Sequence, residues 1–109
     1  MAATANTTIA ALAQLDDRDI KALTEPFDLI GNDPACREDQ VAVYHRGQRR
    51  IVDPDVGVCD CPDMLHRRPD DGCKHLRAVW FATGELEVPP GIDRAALADH
   101  IAHGVVADA

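Results

Sequence analysis

Cys59-Asp60-Cys61-Pro62 and Cys73-Lys74-His75 form the stretch on which the reading of this chain turns, with eleven residues between Cys61 and Cys73. Three of the four cysteines and one of the five histidines stand there, as two pairs with one residue inside each pair. Thiolate and imidazole are the donors Zn(II) prefers, at about 2.3 Å and 2.0–2.1 Å, so Cys59, Cys61, Cys73 and His75 predict one tetrahedral Cys3His site. Four protein donors leave no position for a water or a substrate. Such a closed site is structural, and the chain is expected to be non-catalytic.

The spacing has a mechanical basis. Residues i and i+2 of a strand share a face, so Cys59 and Cys61 can offer two sulfurs to one point where a strand ends, and Pro62, with no amide to donate, stops it. Residues 74–82, with apolar side chains at 76, 79 and 80, read as a helix. Its N-terminus favours the Cys73 thiolate. The ligands therefore pin a strand end to a helix start.

Paired spacing with a histidine argues against plain buried thiols or disulfides. A Cys-His nucleophile lacks an identifiable third, orienting group. Copper(I) and iron–sulfur clusters use the same thiolates and stay open at this level. His66, inside the spacer, is a competing imidazole. The two pairs, with Cys-Asp-Cys-Pro-Asp at 59–63 and Cys-Lys-His-Leu-Arg-Ala-Val at 73–79, resemble the SWIM-type zinc finger over about residues 38–84. The resemblance implies a small ββα unit, zinc held by Cys59, Cys61, Cys73 and His75, and a role in binding DNA or protein.

The rest of the chain is read around that unit. Residues 1–8 carry no period and are expected to be disordered; 9–15 suit a helical turn, and Asp16 or Asp17 can cap a further one through Ile20, Ala22 and Leu23. Residues 27–30 read as a short strand before a turn at 31–34. Residues 40–45 and 49–53 alternate around Arg46-Gly47-Gln48 as a hairpin, and 54–57 form another turn. Residues 63–72 read as a polar loop, and Thr83-Gly84 ends the helix. Val88-Pro89-Pro90-Gly91 breaks the chain, and Asp93 caps a short helix with Leu97 and Ile101 one turn apart. The fold class is thus α+β: a zinc-stabilised hairpin and helix at 38–84, an N-terminal helix and strand extension at 1–37, and a C-terminal helix and tail at 85–109.

At 109 residues with only Phe27, Tyr44, Trp80 and Phe81 as aromatics, the core is modest, and metal is expected to supply part of its stability. The net charge of −8 comes from fifteen Asp and four Glu against nine Arg and two Lys. This Asp-rich, Lys-poor composition resembles that of halophile proteins working in molar salt, where carboxylate repulsion is screened; the alternative is an ordinary acidic protein. No basic region followed by an apolar run marks a secretory leader, and no apolar stretch is long enough for a membrane helix. Thiols spaced for metal point to a cytoplasmic chain with no membrane partner. Cys36 reads as a free, partly buried thiol. His45 is read as structural or exposed, and His100 and His103, near a helix end, as dipole contacts or exposed rather than as metal ligands.

Charge is uneven. Residues 45–77 hold seven bases against six acids, and the remainder four against thirteen. The least acidic face suits a nucleic acid or an acidic protein surface. Arg49, Arg50, Arg67 and Arg68 are the candidate partner-binding residues, with Arg46 beside them. DNA contact through phosphates is the leading expectation, weakened by salt. A protein adaptor in a recombination or transcription complex, anchored by Trp80 or Phe81 if exposed, is the alternative. No phosphate loop, nucleophile elbow or distinct carboxylate pair suggests a small-molecule substrate.

Overall fold

Alternation of apolar and polar residues builds the hairpin at the centre of the fold. In the computed structural model, which describes residues 9–107, four strands are formed: β1 (Asp28–Ile30), β2 (Val41–His45), β3 (Gln48–Asp53) and β4 (Val58–Cys59). They pair antiparallel in the order β1-β2-β3-β4. Arg46 and Gly47, with φ of 50° and 79°, make the two-residue turn whose twist suits a hairpin. The register sets Val43 opposite Arg50 and Val52 opposite Cys59. Val41, Val43, His45, Arg50, Val52 and Cys59 therefore share one face, while Tyr44 and Arg49 pair on the other.

The helices are α1 (Asp17–Thr24), α2 (Pro62–His66), α3 (Lys74–Thr83) and α4 (Asp99–His103), with a helical turn at 9–13. The expected disordered start at 1–8 lies outside the described residues. Asp16 caps α1 by accepting from the Asp19 amide at 2.9 Å. Helix α1 packs along α3, which lies against β3 and β4, and buried residues of both helices join those of the sheet in one core. Leu23, Leu29, Leu76, Val43, Val52 and Val79 are fully buried there, each worth about 1.5–3 kcal/mol of transfer free energy. Residues from all three expected segments reach this one core. The molecule is a small α+β structure. Among the described residues no helix is long and apolar enough to cross a membrane.

Three expectations need correction. The spacer is not all loop: β4 already ends at Cys59, short of the expected stop at Pro62, and Pro62 begins α2 with Cys61 at the cap position, because proline suits the first helical position and Asp63 the first turn. The C-terminal helix is divided. Asp93 caps only a 3-10 turn at Arg94–Ala96, and Leu97 is extended, since the Ala98 amide bonds to the Leu23 carbonyl at 2.8 Å and pulls the chain onto the end of α1. Beyond α4, Val106 pairs in parallel with Ile30 and covers the outer edge of β1.

The third correction is His100, which is buried rather than exposed at a helix end. It is 4 % exposed, donates from Nε2 to the Ala22 carbonyl at 2.7 Å, and meets the Phe27 ring edge-on at 5.3 Å. Burial holds its imidazole below its ordinary value, against the opposing pull of the Ala22 bond and of Asp28 and Asp99. The unfolded chain then binds the extra proton, so this contribution is complete above the ordinary histidine range and is lost as pH falls below about 6.5. The stability advantage of the wild type over His100→Gln, from denaturant midpoints at saturating metal, is expected to shrink between pH 7.5 and 5.5. An advantage constant across that range would remove His100 from the pH response.

Candidate metal centre and the groove beside it

Each donor is delivered by a different piece of local structure. Cys59 ends β4 on the core face of the sheet. Asp60 then accepts from the Ile51 amide at 2.9 Å and donates its own amide to the Ile51 carbonyl at 3.3 Å. These bonds carry the chain round to Cys61 at the start of α2. Gly72 turns the chain into α3 with φ of 85°, and a Cβ there would lie 3.0 Å from the Trp80 ring and 3.2 Å from the Leu76 Cβ. Only glycine fits that approach. Cys73 is the cap residue of α3, and His75 lies in its first turn.

The four donor atoms lie within 4.8 Å of one another, and all four residues are buried. Nδ1 of His75 is 3.8 Å from the Cys59 sulfur and 3.7 Å from the Cys73 sulfur. A tetrahedron with ordinary zinc–sulfur and zinc–nitrogen bonds has edges of roughly 3.6–3.8 Å, so the donors are already spaced to hold one metal ion. When a metal takes Nδ1, the proton of the neutral imidazole stands on Nε2. His66 is exposed outside the cluster, and Cys36 is also separate from it. His75 is thus the imidazole the fold brings to the sulfurs.

The thiols titrate as a set. Bonds from Cys59 and then Cys73 favour the Cys61 thiolate, with help from the nearby Met64 amide at the start of α2. The same sharing with Cys61 and then Cys73, together with burial, pushes the Cys59 thiol far up. For Cys73 the bond with Cys59 favours the thiolate, but the Cys61 charge and burial outweigh it and place the thiol at about 11. The set thus favours the thiolate at Cys61 over those at Cys59 and Cys73. Binding a cation with three thiolates must therefore release protons, which makes affinity depend on pH.

Cys61 and His75 also border a surface groove of about 590 Å3. Five bases line it, Arg18 and Lys21 from α1, Arg50 from β3, Arg67 from the end of α2 and Lys74 from α3, against the carboxylates of Asp17 and Asp63. Arg18 is held by both oxygens of Asp63, at 2.7 and 2.8 Å, which keeps that carboxyl below its usual range. Lys21 pairs with Asp17 and Lys74 with Glu25, each at 3.0 Å. Arg50 touches Gln48 at 3.1 Å.

Of the four candidate arginines, the fold gathers two. Arg50 and Arg67 line this groove. Arg49 projects from the other face of the sheet, 3.7 Å from Asp33, whose carboxylate accepts from the Tyr44 hydroxyl. Arg68 is exposed on the turn after α2 with φ of 48°. Arg77, counted among the bases of 45–77, is 3 % exposed and bonded to Asp16 and Asp19. Phe81 is buried and Trp80 half-buried, its indole N–H donating to the Pro54 carbonyl at 3.0 Å. Sequence reasoning missed Arg18, Lys21 and Lys74. The signal present was the i, i+3 spacing of Arg18 and Lys21, which puts two bases on one face of α1.

Compared with protein-family models, with curated proteins and with solved structures, the chain matches none of them.

Proposed function

We propose that this chain is a non-catalytic zinc-binding module of the SWIM type that docks on a nucleic acid, DNA in the first instance, through the groove beside its metal. The Cys3His donor set favours zinc over harder cations, and its closure by four protein donors favours a structural role. The observation that carries the docking reading is the groove itself: five bases converge beside the metal on a chain of net charge −8. Backbone phosphates are the natural counterpart of such a surface, and contacts to them position a partner without reading its sequence. Of the aromatic anchors named for the adaptor reading, Phe81 is buried and Trp80 is half-buried with its indole N–H bonded to the Pro54 carbonyl, so the charged surface is preferred.

Fluorescence anisotropy with a labelled DNA oligonucleotide across a salt series tests this. The zinc-loaded protein is expected to bind with an affinity that falls log-linearly with salt, and Arg50→Ala and Arg67→Ala are each expected to lower the slope by roughly one. Arg49→Ala, on the other face of the sheet, is expected to leave the slope unchanged. A wild type that binds no DNA at any salt concentration, or an Arg49 variant as impaired as the Arg50 variant, overturns the proposal.

A further inference from the structure

The groove holds two arginines that no carboxylate of the described residues pairs with. Arg18, Lys21 and Lys74 each have a carboxylate, but among the described residues neither Arg50 nor Arg67 is in an ion pair, although acids outnumber bases nineteen to eleven. The His45 side chain, which also borders the groove, is only 9 % exposed and is held by the fold itself: its Nδ1 is engaged with the Pro26 carbonyl at 2.8 Å, and its buried Nε2 stands 3.1 Å from a Glu25 oxygen.

Size and chemistry narrow the ligand. A space of about 590 Å3 is that of a site for a small molecule or a single chain end. No Phe, Tyr or Trp lines it, so it offers no platform on which bases stack. What it offers is two planar guanidinium forks from different elements, the arrangement that grips phosphate oxygens in pairs. A phosphate monoester carries a charge of about −1.5 to −2 at neutral pH and presents three terminal oxygens, whereas a backbone diester carries one charge. Two unpaired arginines match the former.

We infer that the groove is a phosphate-monoester site, in which Arg50 and Arg67 clamp the terminal phosphoryl group beside Lys74. The inference rests on the proposed use of the groove and narrows it from a backbone to a phosphorylated end. The monoester comes either from a free phosphorylated metabolite or from the 5′ end of a nucleic acid.

Calorimetry on the zinc-loaded full chain separates these, using thymidine 5′-monophosphate against thymidine, and a short single-stranded oligonucleotide with a 5′-phosphate against the same strand with a 5′-hydroxyl. The monophosphate is expected to bind at least tenfold more tightly than thymidine. Arg50→Ala and Arg67→Ala are each expected to lose that preference with metal content and circular dichroism unchanged, while Arg49→Ala keeps it. Preference for the phosphorylated strand as well assigns the site to a nucleic-acid end; preference confined to the mononucleotide assigns it to a metabolite. Absence of any monophosphate preference overturns the inference, and if both strands then bind equally the nucleic-acid reading survives without it. Mononucleotide binding with no strand bound overturns that reading and leaves this one standing.

Discussion

Complete removal of the metal is expected to unfold the half of the chain between the hairpin and the end of α3. The donors are in the core: Cys59, Cys61 and Cys73 are 2 %, 1 % and 0 % exposed, and His75 is 8 % exposed. Structural zinc sites contribute about 10–16 kcal/mol of apparent binding free energy at neutral pH, as much as the whole stability of a typical domain, about 5–15 kcal/mol. Without the ion, β4, α2 and α3 are joined at this point only by three thiols and an imidazole. Elemental analysis should find one zinc per chain, lost in Cys59→Ser and His75→Ala and retained in Cys36→Ser. Chelation should erase most of the far-UV circular dichroism of 38–84 and shift the emission of Trp80, whose ring packs on Gly72 beside Cys73. A fully demetallated protein that keeps its native spectrum and emission would refute the structural role.

Arg77→Ala is expected to cost about 3 kcal/mol, the lower end of the range for deleting one partner of a buried charge cluster. The Arg77 side chain is 4 % exposed; its Nη1 reaches Asp16 at 2.6 and 2.8 Å and Asp19 at 3.1 Å, and its Nε donates to the carbonyls of Asp71 and Gly72. The guanidinium therefore ties α1 to α3 and holds the loop that presents Cys73. The cost sits at the lower end because the Asp16 side chain is 55 % exposed and can rehydrate. Asp19 cannot do so as fully. Burial already raises its carboxyl above the ordinary range against the pull of Arg77, and removing the cation raises it further. A raised carboxyl destabilises the ionised fold, so the deficit of the variant should shrink as pH is lowered toward the carboxylate range. Urea denaturation at saturating zinc measures it; a loss below about 1 kcal/mol would show that the cluster is solvated and dispensable.

Legibility in the sequence tracks the range of the interactions involved. The Asp16 cap, the hairpin at 41–53, the Gly84 stop with φ of 88° and the first turn of α3 are each specified within a few residues, and each stands where expected. Helix α2 is equally local, since Cys61-Pro62-Asp63 carries a cap, a first-position proline and a first-turn acid. The charged residues after it resemble a loop and mask that signal. Period-two alternation likewise determines that Arg49 and Arg50 face opposite ways, so grouping them as one surface conflicts with the strand assignment itself.

The candidate metal donors were legible in the chain alone, because Cys59, Cys61, Cys73 and His75 are brought together by three short elements whose turns are encoded beside them. The tertiary structure alone decided which charges are available. Arg77 and Asp19 are 58 positions apart, Arg18 and Asp63 are 45 apart, and Lys74 and Glu25 are 49 apart. Whether a base is spent on an internal carboxylate depends on how α1 lies across α3, which no local pattern states. The same packing buried His100 against Ala22 and left Arg50 and Arg67 facing a groove shared by several elements. Hydrophobic burial sets that packing, and it is non-directional, so the surface it leaves exposed becomes legible only after folding.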